Sequence, residues 1–266
     1  MICKEIIMKK ISQFLLRLPR FYGLLLPILV AIVWEIMSRQ GDAYAYTFVP
    51  LSQIYAGLLE LFNSGELIIN LKATLQITVI GLVIGGFSGL FVGGLMAVSP
   101  TANKLIGPLY HTFRQVPLLG LIPLIALWFG NGLFSKILIV SLASFYPIVL
   151  NTFEGMRGVE EKYIEVASVL KFNRIQLFFV VLLPAAMPSI MTGVMHALAF
   201  AWISTVGSEL LFSTGPGLGG LMQVAQEASR MDIVIIAVAS IGLTGLLMNI
   251  GLSRFSQYVL RWRSVR

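Results

Sequence analysis

The chain has 266 residues, 57% of them hydrophobic and only 12% charged. Soluble domains carry about 25% charged residues, so a water-soluble fold of this length could not hide so much apolar side chain, and several membrane spans follow. The formal charge of +7 does not point to nucleic acid, because the basic residues stand at the ends of apolar blocks rather than along one polar face.

In chain order, the segment MICKEIIMKKISQFLLRLPR at 1–20 is basic and leads into an apolar run. No small-x-small cleavage site closes that run, so the spacing predicts a retained first span behind a short cytoplasmic segment. The single cysteine, Cys3, excludes an internal disulfide and offers no metal cluster. A spanning helix needs about 20 mainly apolar residues. Six stretches qualify, near 21–38, 73–98, 105–129, 133–153, 186–208 and 232–253. The fold class read from this pattern is an all-α, polytopic integral membrane protein with about six transmembrane helices.

The loop from about 39 to 72 is polar and holds a short helix after Pro50, with Ser52 placed to cap it. Span two carries Gly81, Gly85, Gly89 and Gly93 at four-residue spacing, with Gly86 and Gly94 beside the row. On a helix this is one flat face that admits another backbone, either within the chain or at a subunit interface. Spans three and four contain Arg114, Pro117, Pro123, Lys136 and Pro147, which leaves their limits open. Between spans five and six, STGPGLGG at 213–220 is too glycine-rich for regular helix and reads as a turn or re-entrant loop.

Six spans put both termini on one side of the membrane. Fourteen of the 19 basic residues fall on that side, in the N-terminal segment, at Lys104, at Arg157, Lys162, Lys171 and Arg174, and in the C-terminal segment. Arg39, Lys72, Lys136 and Arg230 fall on the other, with Arg114 inside a span. The bias makes the richer side cytoplasmic. The organisation expected is a cytoplasmic segment at 1–20, a transmembrane domain at 21–256 and a cytoplasmic tail at 257–266.

A polar helix interrupts this scheme between spans four and five. In GVEEKYIEVASVLKFNRIQ, from Gly158, the residues Val159, Tyr163, Val166, Ala167 and Leu170 make one apolar stripe. Glu160, Glu161 and Glu165 lie away from it, where acidic residues suit a helix N-terminal half. Lys171-Phe172 ends the helix, and Asn173 with Gln176 can form a box-like cap for the next. Two readings stand: an amphipathic connector on the bilayer surface, or a helix that docks a protein. The acidic polar face suits anionic lipid poorly.

The segment resembles the signature of ABC-importer permeases, which is Glu-Ala-Ala, three residues, Gly, nine residues, then Ile-x-Leu-Pro. Glu165, Val166 and Ala167 stand at its head, Lys171 at the glycine, and Val181, Leu183 and Pro184 at its close, with no gap. Val166, Lys171 and Val181 depart from the family residues. VPLSQIYAGL at 49–58, SGELIINLKATL at 64–75, RQVPLLGLIPLIALWFG at 114–130 and AWISTVGSEL at 201–210 are similar to the nitrate/sulfonate/taurine/bicarbonate branch.

The resemblance implies a MetI-like permease fold that carries a small anion, with aliphatic sulfonate or taurine first. It implies a coupling helix over about 158–175 that fits a groove on an ATPase subunit, through Glu161, Tyr163, Glu165, Val166, Ala167, Leu170, Lys171 and Phe172. The implied partners are an ATPase dimer, a second copy of the chain, a periplasmic or lipid-anchored substrate-binding protein and membrane lipid. No phosphate-binding G-x-x-x-x-G-K-[ST] run occurs. This chain is therefore expected to hold no cofactor and catalyse nothing, with ATP and Mg belonging to the ATPase. A secondary transporter or channel is the alternative, which would call for inverted repeats and intramembrane acidic ion sites.

Candidate pathway residues follow from polarity within the spans. An arginine at mid-bilayer costs about 2.5–3.5 kcal/mol, so Arg114 snorkels, pairs or lines water, and His111 one turn earlier can share its face. Arg114 reads either as a cationic spot for an anion or as a structural pin. A lone histidine such as His196 reads first as a packed hydrogen-bonder, with Trp202 further along the same span. Glu209 ends span five, where it either gates the outer mouth or sits in interfacial water. No His, Cys, Asp or Glu cluster has metal-ligand spacing.

Overall fold

Helix is the only regular structure among the described residues, 25–41, 48–212 and 214–263 of a computed structural model. The expected 1–20 segment and Cys3 lie outside them, as do residues 264–266. The chain divides into Met1–Leu59 and Glu60–Arg266. In the first unit, α1 (Leu25–Ser38) is an apolar helix, described over 14 residues. Trp34 Nε1 donates to Val49 O over 2.8 Å. α2 (Leu51–Asn63) starts one residue before Ser52, so Ser52 is not its cap. The Leu51 N–H donates instead to Glu35 Oε2, 3.0 Å away.

The second unit is built on α3 (Glu66–Val98), α6 (Leu133–Arg157) and α8 (Leu183–Phe212). The glycine row of α3 lies against α6, and the register is explicit. A Cβ added at Gly81 would lie 2.4 Å from Val140 Cγ1, one at Gly85 would lie 2.2 Å from Ser141 O, and one at Gly93 would lie 2.7 Å from Val149 O. Gly89 faces Ile148 in the same series. The numbers rise together, so α3 and α6 run parallel. α8 is antiparallel to both: Gly193 meets Asn151, Gly155 meets Ser189, and Thr78 Oγ1 donates to Thr205 Oγ1 over 2.9 Å. Buried hydroxyls in this core also donate to carbonyls one turn back, such as Thr205 to Ala201 O and Ser144 to Val140 O. No water is available at that depth to satisfy them.

Parallel neighbours force the chain between them to return across the bundle. The return is not the continuous helix expected near 105–129. It is α4 (Pro100–Phe113), a 3₁₀ turn at Leu118–Leu121 and α5 (Ile122–Phe129), bent by 85°. Ser99 caps α4 by accepting from the Ala102 N–H, and Pro100 is preset for the first turn. Pro117 ends the run, since it lacks an N–H and steers Val116 away from helical backbone. Tyr110 of α4 lies with Met96 and Val149, while Ile122 and Ile125 of α5 lie with Ile139 and Phe212. The two halves thus serve different depths of the bundle.

Among the described residues four helical stretches are long and apolar enough to cross a membrane, namely 66–98, 133–157, 174–212 and 231–259, and the bent pair makes five if it is taken as one span. Of the first expected span, near 21–38, the described residues cover Leu25–Ser38, which is α1. α9 (Leu218–Glu227) and α10 (Met231–Val259) complete the unit, and Trp202 of α8 packs against Gly245 of α10. α9 begins inside the glycine-rich segment, so Leu218, Gly219 and Gly220 are helical rather than loop.

The glycine face yields a sharp contrast. Gly85→Ala drives a methyl into the Ser141 backbone, whereas the nearest atom to a Cβ at Gly86 is Ile148 Cδ1 at 3.6 Å. Overpacking of this kind costs about 1–3 kcal/mol. Gly85→Ala should lower the thermal unfolding midpoint in detergent, and Gly86→Ala should leave it within experimental scatter.

Candidate functional site

The second unit has two polar ends. At one, α6 finishes at Arg157 and α7 (Glu161–Val169) stands away from the bundle. This helix is narrower than the 158–175 expected, because its end is set at Lys171, whose φ is +53°. Phe172 N–H donates to Ala167 O and Lys171 N–H to Ser168 O. These are the two bonds of a Schellman turn, whose left-handed position favours glycine. Lysine fills it here despite a steric cost of about 1–2 kcal/mol. Asn173 then caps the next turn, Arg174–Gln176: its side chain accepts from Gln176 N–H while Gln176 accepts from Asn173 N–H. The expected helix–turn–helix is formed.

Only Ala167 of α7 is buried, and Glu161, Tyr163, Glu165, Val166 and Leu170 are exposed. The apolar stripe of Val159, Tyr163, Val166, Ala167 and Leu170 lines one wall of an open cleft. Lys171 is exposed beside the turn and Phe172 lines the same cleft. Lys162, held more firmly protonated by Glu160, adds to the charged outer face of α7.

At the opposite end of α8, Glu209 has no solvent exposure, which removes the reading that places it in interfacial water. Its Oε2 accepts from Thr74 Oγ1 at 3.0 Å and from Gly219 N–H at 2.9 Å. Leu218 N–H donates to Thr74 Oγ1 at 2.9 Å and Gly217 N–H to Asn70 Oδ1 at 2.7 Å. Lys136, also buried, donates from Nζ to Thr214 O, and the Thr214 hydroxyl bonds Asn131 O. The glycine-rich strap is thereby tied to α3, α6 and α8 through its own backbone. Gly217 is obligatory for contact reasons, since a Cβ there would lie 2.4 Å from Glu209 Cδ. Neither Thr74 as a partner of Glu209 nor Asn70 and Lys136 as partners of the strap was legible in the sequence. Lys136 counts as a surface topology charge until α6 is seen to start at Leu133, which puts it in the first turn facing the bundle.

Nearby, Arg230 joins Glu60 and Asp232 at 2.7 and 2.8 Å. Both carboxylates hold the guanidinium firmly protonated, and the Glu60 carboxyl is pulled below its usual range by Arg230.

The expected pathway residues separate. Arg114 is exposed at the break between α4 and α5, with its guanidinium carbon 6.0 Å from the centre of the Tyr110 ring. His111 meets the same ring edge-on at 5.2 Å. The Tyr110 hydroxyl donates to Tyr146 O over 2.7 Å, which fixes this group near the middle of α6. His196 is exposed on α8 rather than packed, in line with Thr192, Ala199, Phe200 and Ile203. Trp202 is buried on a different side of α8, against α10, so it does not share that stripe. Among the described residues no group of His, Cys, Asp or Glu could hold a metal.

The second unit is thus an all-helical bundle with an exposed acidic helix at one end and a tied glycine-rich strap at the other. The family model for the inner membrane component of binding-protein-dependent transport systems matches residues 81–264. A protein of Bacillus subtilis named for aliphatic sulfonates transport, the permease SsuC, is 34% identical over 242 residues, covering 91% of this chain and 87% of that one. The taurine transport permease TauC of Escherichia coli is 31% identical over 242 residues, covering 89% and 87%. The nitrate import permease NrtB of Leptolyngbya laminosa is 28% identical over 222 residues, covering 82% and 79%. In fold, the chain superposes on an amino acid ABC transporter with TM-score 0.63 at 20% identity, covering 76% of this chain and 97% of that one. The inward-facing MetNI methionine transporter gives TM-score 0.60 at 19% identity, covering 74% and 97%.

The chain belongs to the binding-protein-dependent transport family, and it is a transmembrane permease subunit of an ABC importer, a multi-pass inner membrane protein.

Removing the Glu209 carboxylate leaves the Gly219 N–H without its acceptor, while the Thr74 hydroxyl keeps Asn70 O, and a buried unpaired group costs about 1–3 kcal/mol. Glu209→Ala should speed protease cleavage within 213–220 at least tenfold. Glu209→Gln, which keeps an acceptor at the same place, should stay within about threefold of the parent.

Proposed function

We propose that this permease imports a small oxyanion or organosulfonate, with aliphatic sulfonate or taurine first, and that it is powered by a separate ATPase dimer gripping α7. The observation that carries this reading is α7 itself. An acidic helix stands clear of the bundle, fixed by a Schellman turn that tolerates lysine and by a capping box. A surface connector needs neither a rigid turn nor an acidic face. ATP and Mg reside in the ATPase subunits, and this chain holds no cofactor of its own.

In this reading the end that carries α7 is cytoplasmic, with both termini on that side, as the distribution of basic residues indicates. The Glu209 end then faces the periplasm. There a periplasmic or lipid-anchored binding protein delivers substrate. The permease domain spans 21–256, and two copies enclose the pathway. Glu161, Tyr163, Glu165, Val166, Ala167, Leu170, Lys171 and Phe172 make up the coupling segment, which meets the ATPase through its acidic face. His111 and Arg114, at a break in the helix where backbone groups face a cavity, and His196 on its exposed stripe are the pathway residues. Trp202 and Glu209 support the pathway walls from behind. Arg114 supplies the positive potential for an anion. The relatives named for sulfonates, taurine and nitrate support the substrate class.

The test is uptake of labelled taurine and aliphatic sulfonates by the complete complex in proteoliposomes. ATP-dependent accumulation is expected, and accumulation without ATP hydrolysis would contradict the reading. Arg114→Ala should reduce uptake at least tenfold while the complex still assembles; normal affinity and rate would leave Arg114 a purely structural residue. Glu165→Lys should leave the chain inserted but reduce copurification of the ATPase several-fold, because the reversal falls on the docking face.

A further inference from the structure

Between α7 and the membrane-embedded part of α8 the helix changes character. Residues Leu177–Leu182 form a π-helix, and the Leu183 N–H donates to Phe178 O, five residues back. Pro184 explains the wide turn. In regular α-helix its ring would strike the carbonyl of Val180, and it has no N–H to offer that carbonyl. Widening the helix relieves the clash, and such π segments mark functional sites more often than chance. Pro188 follows one turn on.

The π segment borders the cleft lined by the α7 stripe. The cleft measures about 1030 Å³. One wall is Val159, Tyr163, Val166 and Leu170; the other is Val180, Val181, Pro184, Ala185 and Pro188, and Trp262 also lines the cleft. α7 therefore touches the rest of the bundle at few places. Ala167 is buried, the Schellman turn at Lys171 is rigid, and the remainder of the helix is separated from α8 by open space.

We propose that the π segment is the joint of the transporter, and that the cleft is the clearance through which α7 swings toward Ala185 when ATP binds the partner subunits. This rests on the reading of α7 as the ATPase-gripping helix. A π turn can slip to α by one residue, and one residue of α-helix is about 100° of rotation with about 1.5 Å of rise. The rigid turn and the capping box carry α7 through that rotation as one body. Pro184 prevents the α form from being permanent, so the joint returns. The apolar stripe meets the apolar wall when the cleft closes, and the acidic face stays outward on the ATPase.

Closure is read directly by a cross-link. Val166→Cys with Ala185→Cys, in a Cys3→Ser background, places one thiol on each wall of the cleft. In the complete transporter in lipid nanodiscs, a non-hydrolysable ATP analogue should speed disulfide formation at least tenfold over the nucleotide-free state. Equal rates in a complex that retains its ATPase would overturn the proposal. Absence of an ATPase from the unsubstituted complex would instead overturn the reading of α7 on which the joint depends. Ala185→Trp supplies an independent arm by filling the cleft. The ATPase should still copurify, while substrate moved per ATP hydrolysed falls at least tenfold. An unchanged ratio would overturn the joint, and so would loss of the ATPase, since the cleft would then be part of the docking surface.

Discussion

The backbone contact between α3 and α6 governs the rest of the molecule. Lipid offers no hydrophobic drive for helix association, so close packing and internal hydrogen bonds have to supply it. The row Gly81, Gly85, Gly89 and Gly93 lets the two helices meet at backbone distance, as the 2.2 Å clearance at Gly85 makes plain. Because the two run parallel, the chain must recross between them, and the broken α4–α5 crossing is the consequence. That break puts Arg114 beside the Tyr110 ring, next to a carbonyl near the centre of α6. A charge that would be intolerable on a continuous lipid-facing helix is thereby placed where the chain is interrupted.

The same core gives the two ends of α8 different mechanical properties. At the Glu209 end the strap is tied by side chains from three helices, with a buried carboxylate at its centre. At the α7 end the helix loosens into a π turn beside open space. A rod fixed at one end and jointed at the other suits a part that transmits displacement along its length, which is the division of labour an ABC importer permease requires.

Much of this was legible in the residues. The glycine row, the spans expected near 73–98, 133–153 and 232–253 and the Asn173–Gln176 cap follow from spacing alone, and helices at 66–98, 133–157 and 231–259 answer to the three spans. The bend after Arg114 was signalled by Pro117, but its size was not, since a proline in a span marks either a kink or a break. The burial of Lys136 and Glu209 was hidden because their partners, Thr74 and the strap backbone, lie far away in sequence. The exposure of His196 was hidden too: helical phase places it in line with Thr192 and Phe200, an exposed stripe that no single residue advertises. The π segment has a cause in Pro184, yet local sequence does not distinguish a widened turn from a kink.

The central claim is that α7 is a handle held by a separate subunit. The most direct measurement is site-specific photo-crosslinking from Val169, the most exposed large apolar residue of α7 at 82%, in membranes containing the native complex. An adduct with the mass of an ATPase subunit is the predicted result. Adducts confined to lipid would contradict the account.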